Sequence, residues 1–204
     1  MKTARAGKPA GAKGTSRKVP TTYVAFLRGI NVGGNNIVSM AALKERFAGL
    51  GFDDVASYIN SGNILFRAKE KDARKLERKI DAMLEAELDL TGRTVVRSRT
   101  EMRQLVDTID RTWKRPSADW RYYILFLRHN IDSESVLDAL TPKPKIEEVV
   151  YCPGTLLWRA RVADLTRSGV QKITGMPIYK DLTIRNLNTT RKVLALMDTM
   201  EDAA

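Results

Sequence analysis

The sequence predicts an α+β protein of two similar halves, each ferredoxin-like (a split βαβ unit) with a mostly antiparallel sheet covered by helices on one face. The apolar patterns of residues 21–99 follow the order strand, helix, strand, strand, helix, strand. The chain also resembles itself at an offset of 100 residues, where Tyr23, Phe26, Leu27 and Arg28 are matched by Tyr123, Phe126, Leu127 and Arg128. A further match, between residues 58–68 and 151–160, indicates an internal duplication.

The first half begins with a strand, a loop and a helix. Residues 21–27 are rich in β-branched and aromatic types, which favour a strand. Ser39 is a suitable N-cap for the following helix, and Gly51 is a suitable stop. The apolar residues between them recur on one helical face, at Met40, Leu43, Phe47 and Leu50.

A hairpin and a second helix complete the first half. The apolar runs 55–59 and 64–68 flank four turn-forming residues, Asn60-Ser61-Gly62-Asn63, and therefore predict a hairpin. A helix is predicted from about Asp72, and residues 93–99 predict the fourth strand. Thr100 is then expected to cap a helix that links the halves.

The second half is predicted to repeat this order with a short helix at residues 136–140, a hairpin, and a last helix from about Asn188 to Met200. The predicted division of the chain is a disordered basic tail over residues 1–20, halves over 21–99 and 121–204, and a helical linker over 100–120.

The charge of the chain is uneven. The formal net charge is +11, but six of these charges lie in residues 1–20, which contain no acid, so residues 21–204 carry only +5. The tail is either an arm that contacts nucleic acid or another acidic surface, or a solvated extension. No run approaches the roughly 18 apolar residues of a membrane-spanning helix, so a cytoplasmic protein without membrane association is expected.

Cys152 and His129 are the only residues of their types. An internal disulfide and a Cys/His zinc site are therefore excluded, and no cofactor or metal is expected. Neither residue lies in a nucleophile motif, so whether the protein is an enzyme stays open.

The loop after the first strand is the leading candidate binding site. Its residues Arg28, Gly29, Asn31, Gly33, Gly34 and Asn36 could present backbone N–H groups, amides and a guanidinium to a phosphate. The spacing fits neither a Walker A loop nor the dinucleotide-binding fingerprint. The alternative is a tight connection whose glycines serve only the backbone.

A second polar segment is expected to join this site. Arg185, Asn186 and Asn188 precede or begin the last helix, where an anion is favoured by free N–H groups and the helix dipole. Asn63, in the first hairpin, is expected to converge with them on one cleft. The alternative is that Asn188 is simply an N-cap.

Three motifs carry a resemblance to a known family, namely Leu27-Arg28-Gly29-Ile30-Asn31-Val32-Gly33-Gly34, Tyr58-Ile-Asn-Ser-Gly-Asn63 and Thr183-Ile-Arg-Asn-Leu-Asn-Thr189. Over roughly residues 21–198 the chain resembles the family catalogued as domain of unknown function 1697. Ser39 and Leu187 depart from the family pattern, which often has proline and tryptophan there. The resemblance implies a bacterial protein with two ferredoxin-like halves, and it implies no activity.

Three functions follow as hypotheses. The leading one is binding of a phosphate-bearing ligand, a nucleotide or nucleic acid, through the loop 28–36. Basic residues near two tryptophans form either an additional nucleic-acid surface or an exposed surface that the arginines keep soluble; they include Arg93, Arg97, Arg99, Arg103, Trp113 and Trp120. The alternatives are a protein-interaction module with a purely structural loop, and an enzyme of unknown reaction.

Overall fold

A computed structural model describes residues 19–31, 37–92 and 94–202. These residues form an α+β protein with two four-stranded antiparallel sheets, as the strand and helix patterns predict. Most of the predicted tail, together with Gly33, Gly34, Asn36 and Arg93, lies outside the described residues. None of the described helices is both long and apolar enough to cross a membrane.

The strands are β1 Thr21–Leu27, β2 Asp53–Tyr58, β3 Asn63–Ala68, β4 Thr94–Ser98, β5 Trp120–Leu127, β6 Glu147–Cys152, β7 Thr155–Arg161 and β8 Leu182–Asn186. The α-helices are α1 Met40–Gly49, α2 Ala73–Leu88, α3 Arg99–Thr112 and α4 Leu187–Asp202. Short 3₁₀ segments span Glu134–Ala139, Val162–Arg167, Gly169–Gly175 and Pro177–Asp181.

The two sheets have the same strand order. The first is β2-β3-β1-β4 and the second is β6-β7-β5-β8, so the first strand of each half is central and the last is at an edge. Arg97 on β4 lies opposite Val24, and Arg185 on β8 lies opposite Ile124. Because Val24 and Ile124 are 100 residues apart, the two arginines occupy equivalent places in the two sheets.

The outer faces of the two sheets are covered differently. In the first half, α1 and α2 pack on the side chains that alternate onto one face of β1, which are Tyr23, Ala25 and Leu27. In the second half, the equivalent face is covered by the short 3₁₀ segments instead of long helices. Gly169, Gly175 and Pro177 interrupt the chain before β8, which disfavours a long α-helix there.

The inner faces of both sheets share one apolar core. Phe26 of β1 stacks on Phe126 of β5 with ring centroids 4.1 Å apart. Helices α3 and α4 pack against each other and against this core through Met102, Ile109, Val193 and Met197. The first sheet is therefore covered on both faces, rather than on one as expected.

Helix starts differ from the sequence expectations by one or two residues. The N-cap of α3 is Ser98, not Thr100, and it forms a capping box with Glu101. The side-chain oxygen of Asn186 accepts a hydrogen bond from the Thr189 backbone N–H, so the capping role expected of Asn188 belongs to Asn186.

Candidate functional site

Arg185 and Asn63, two of the predicted ligand contacts, hydrogen bond to each other. Arg185 Nε donates to Asn63 Oδ1 at 2.5 Å, and Nη2 donates to the backbone oxygens of Leu27 at 2.9 Å and Ser61 at 3.0 Å. Nη1 donates to Thr183 Oγ1 at 2.8 Å and to the backbone oxygen of Ile184 at 2.8 Å. Burial lowers the pKa of Arg185 to about 10. Nε and Nη2 thus hold the second half against the end of β1 and the first hairpin, while Nη1 bonds within β8.

Arg97 makes the corresponding contacts in the opposite direction. Its Nη2 donates to the backbone oxygens of Leu127 at 2.5 Å and Gly154 at 2.8 Å, and its side chain is buried. The prediction that Arg97 and Trp113 belong to an exposed nucleic-acid surface is therefore wrong, because both lie in the interior. Arg99 instead pairs with Asp198 at 2.7 Å, and Arg103 shares that carboxylate.

Asn31 ties together the described ends of the loop after β1. Its Nδ2 donates to the backbone oxygens of Val38 at 3.0 Å and Asn60 at 2.9 Å, and its Oδ1 accepts from Val38 N at 2.7 Å. Gly29 has a φ of 67°, which suits glycine. The Arg28 guanidinium lies 5.4 Å from the centre of the Tyr179 ring.

The predicted residues do not all line one cavity. Asn186 and Asn188 line a cavity of about 300 Å³ at the start of α4, together with Trp120, Arg121 and Arg191. Asn63 and Arg185 do not line it. Ligand binding by the loop 28–36 and by the start of α4 stays a prediction.

A third group of polar residues, which the sequence reasoning missed, lies between the halves. A cavity of about 290 Å³, here called the cleft, is lined by Arg74, Glu77 and Arg78 of α2 and by Arg128, His129 and Asn130 after β5. Arg74 and Arg78 are exposed and stand one helical turn apart. Within the part of the chain that the structure describes, neither forms an ion pair.

Arg128 is fixed at the wall of the cleft by an ion pair. Its Nη1 lies 2.9 Å from Asp81 Oδ2, and both side chains are mostly buried. Arg128 follows β5 as Arg28 follows β1, so the two arginines occupy equivalent positions of the halves. Their surroundings differ, because Arg128 pairs with the Asp81 carboxylate of α2 and Arg28 lies over the Tyr179 ring.

Glu77 is the acid at the base of the cleft. It is 4% exposed, and its Oε1 accepts a hydrogen bond from Val96 N at 2.9 Å. Burial raises the pKa of Glu77 to about 7, although the Val96 N–H and nearby Arg97 oppose this shift. A sequence signal for Glu77 exists, because this acid lies beside Leu76 and Ile80 on the apolar face of α2, where a charged residue is unusual.

His129 faces Glu77 across the cleft. Its Nε2 is buried, lies 3.7 Å from Glu77 Oε1, and has no hydrogen-bond partner among residues 19–31, 37–92 and 94–202. Burial, and to a smaller extent the charge of Arg97, lower the pKa of His129. Because perturbed pKa values cluster at functional sites, the pair marks the cleft as a candidate site.

A neighbouring cavity of about 290 Å³ also reaches His129, and Arg97, Glu101, Asp132 and Cys152 help to line it. Burial raises the pKa of the Cys152 thiol, which keeps it protonated and a weak nucleophile. In the described part of the chain, no group of three or more His, Cys, Asp or Glu residues could hold a metal ion.

Comparisons with known proteins give a family and a fold. The model of the family described as "Protein of unknown function (DUF1697)" matches residues 21–158, which confirms the family that the three sequence motifs indicate. The structure of a conserved bacterial protein, SP0830 from Streptococcus pneumoniae, is similar with a TM-score of 0.78 and 27% sequence identity. That similarity covers 88% of this chain and 99% of the other. No curated protein matches the sequence.

Proposed function

The chain belongs to the DUF1697 family of proteins of unknown function, and we propose that it binds a small phosphate-bearing ligand in the cleft. The observation that carries the proposal is the group of three arginines and one histidine around a single cavity between the halves. Ligand sites occur preferentially at interfaces of this kind.

The chemistry of the cleft suits an oxyanion. A guanidinium presents several N–H donors in a planar fork that matches phosphate oxygens, and Arg74 and Arg78 are not committed to an ion pair with any described residue. The opposing acid, Glu77, has a pKa of about 7 and is therefore partly protonated near neutral pH. The cleft consequently carries a net positive charge when it is empty.

The size of the cleft limits the ligand. A volume of about 290 Å³ is at the lower end of the roughly 300 to 1,000 Å³ of small-molecule sites. A sugar phosphate fits this space, whereas a nucleotide or an oligonucleotide would insert a phosphate and leave its base outside.

The proposal keeps the ligand class predicted from the sequence and moves the site. Asn31 and Arg185 use their side-chain donors on the protein backbone and on Asn63. We therefore assign these predicted ligand contacts to the scaffold, and the loop 28–36 is the second candidate for the same ligand class. Arg28→Ala separates the two sites, since loss of binding in this variant alone would favour the loop.

Binding can be tested with inorganic phosphate, sugar phosphates, nucleoside monophosphates and a short oligonucleotide, by calorimetry and thermal shift. The double substitution Arg74→Ala with Arg78→Ala is expected to weaken binding at least about tenfold, because two charge-assisted contacts are lost. Lys75→Ala is the matched control, since it removes a positive charge from the same helix outside the cleft.

The outcomes separate the functional classes. Equal binding by the double variant and the wild type would exclude the cleft. If no phosphate-bearing probe binds, the alternative of a protein-interaction module gains support, and nuclease-resistant capture of a protein partner would be its direct test.

We also propose that each half is a ferredoxin-like unit and that the two arose by duplication, with the halves at residues 21–99 and 121–204 and the linker at 100–120. The shared strand order and the equivalent arginines support this division.

A further inference from the structure

We infer that anion binding in the cleft is coupled to the uptake of a proton by Glu77 and His129. The inference rests on the proposed function, and it names the regulation of that site. It makes the protein a binder whose affinity for an anion depends on pH near neutrality.

The geometry places two titratable groups where a bound anion must affect both. Glu77 Oε1 and His129 Nε2 lie 3.7 Å apart, and both side chains line the cleft. This separation is too long for a direct hydrogen bond. The buried Nε2, which has no hydrogen-bond partner among the described residues, is therefore available to donate to an anion once it is protonated.

The surrounding charges come from each element that packs around the pair. Glu77 is influenced by Asp81 on α2, by Arg97 on β4 and by Arg128 after β5. His129 is influenced by Arg74 on α2, Arg97 on β4, Glu101 on α3 and Asp132 in its own loop. Arg97 donates to the backbone oxygen of Gly154 and Arg128 pairs with Asp81, while the coupling is assigned to Glu77 and His129.

The sign of the coupling follows from electrostatics. An anion in the cleft repels the ionised Glu77 carboxylate and attracts the protonated His129 imidazole, so it raises the pKa of both groups. Both effects take up a proton from solution. In the free protein the pKa of Glu77 is about 7 and that of His129 is lowered from its ordinary value. Affinity should therefore fall as the pH rises through and above about 7, by up to about tenfold per pH unit for each proton taken up.

Sulfate is the suitable probe for this coupling. A phosphate ester has a second pKa of about 6 and titrates in the same range, whereas sulfate keeps its double charge there. Calorimetry of sulfate binding in two buffers with different ionisation enthalpies gives the number of protons exchanged. We expect net proton uptake on binding. The affinity for sulfate should be weaker at pH 8 than at pH 6.5 by about tenfold.

His129 offers an independent readout because it is the only histidine in the chain. Its imidazole signal can be followed by NMR without assignment of other histidines. The expected result is a higher pKa of His129 in saturating sulfate than in the free protein. The same experiment with Lys75→Ala should give the wild-type shift.

Two variants divide the coupling between the residues. Glu77→Gln keeps a side-chain oxygen for Val96 N and removes the titration, so we expect most of the pH dependence above pH 7 to disappear and binding at pH 8 to strengthen. His129→Asn should remove the remaining dependence at lower pH. Glu85→Gln, an exposed residue of the same helix, is the control and should behave as the wild type.

The two proposals fail in different ways. Sulfate binding that is independent of pH and exchanges no proton would overturn the coupling and leave the binding function intact. Failure of sulfate and of every phosphate-bearing probe to bind, even at pH 6, would overturn both proposals.

Discussion

Arg97 and Arg185 are reciprocal, since each lies on the edge strand of one half and donates through Nη2 to backbone oxygens of the other half. Arg185 bonds to the oxygens of Leu27, Ser61 and Gly62, and Arg97 bonds to those of Leu127 and Gly154. Leu27 and Leu127 close the first strands of the two halves. The two arginines that could be mistaken for ligand contacts therefore form a polar link between the two sheets.

Replacement of Arg185 should destabilise the whole protein. Arg185→Met removes the donors for Asn63, Leu27 and Ser61 and leaves their oxygens without partners, which should lower the free energy of unfolding by about 3 kcal/mol. Urea denaturation measures the change. Arg115→Met, at an exposed position, should stay within about 0.5 kcal/mol of the wild type. A loss at Arg185 no larger than at Arg115 would contradict the proposed linking role.

Gly62 should tolerate a side chain less well than Gly51. Both have a positive φ, of 70° and 77°, but a Cβ atom at Gly62 would lie 2.9 Å from the Leu27 Cβ, whereas Gly51 has open space. Gly51→Ala therefore reports the backbone term alone, and Gly62→Ala adds overpacking of about 1 to 3 kcal/mol. Thermal unfolding of the two variants tests this prediction. Equal decreases in the unfolding temperature would show that the structure accommodates the new Cβ atom beside Leu27 without destabilisation.

Ile59 is expected to be replaceable with a gain in stability. It has a φ of 49°, which is unfavourable for a β-branched residue, and it is 51% exposed. Ile59→Asn should raise the free energy of unfolding by about 1 kcal/mol, because asparagine tolerates the left-handed conformation. Val150→Asn, at an exposed position within β6, provides the contrast and should give no gain. A lower free energy of unfolding for Ile59→Asn would mean that the Ile59 side chain stabilises the fold by more than its backbone strain costs.

Glu77 should make the stability of the protein depend on pH. Its folded pKa of about 7 lies above the ordinary value of 4.5, so the folded state binds the proton more tightly and stability falls as the pH rises from about 4.5 to about 7. The loss is up to about 3 kcal/mol. The free energy of unfolding of Glu77→Gln, relative to that of the wild type, should therefore increase by up to this amount between pH 5 and pH 8. Urea denaturation at the two pH values measures this difference. Glu85→Gln should show no such trend, and a parallel trend in the two variants would refute the assignment.

Local patterns predicted the elements well. The apolar, aromatic-rich runs of β1 and β5, and the N-cap at Ser39, need only neighbouring residues to be recognised. The capping of α3 was misplaced because Ser98 and Thr100 are both acceptable N-caps, and only the capping box with Glu101 selects Ser98.

The site was harder to predict, because it depends on contacts between distant residues. Arg97 alternates along a strand with other arginines and therefore resembles a surface residue, yet its partners are 30 and 57 residues away in sequence. The cleft likewise joins α2 to the loop after β5. The local sequence around His129 contains no motif, so only the packing of the halves brings it to Glu77.

The stacked pair Phe26 and Phe126 lies among contacts that repeat with the two halves exchanged. Such an isologous pattern is the hallmark of a symmetric homodimer. The two sheets of this single chain thus contact each other as the subunits of such a dimer do. Because the two halves differ in sequence and covering, the cleft, with α2 on one side and 3₁₀ segments at the equivalent place of the second half, occurs once, whereas a symmetric pair of identical subunits would carry it twice.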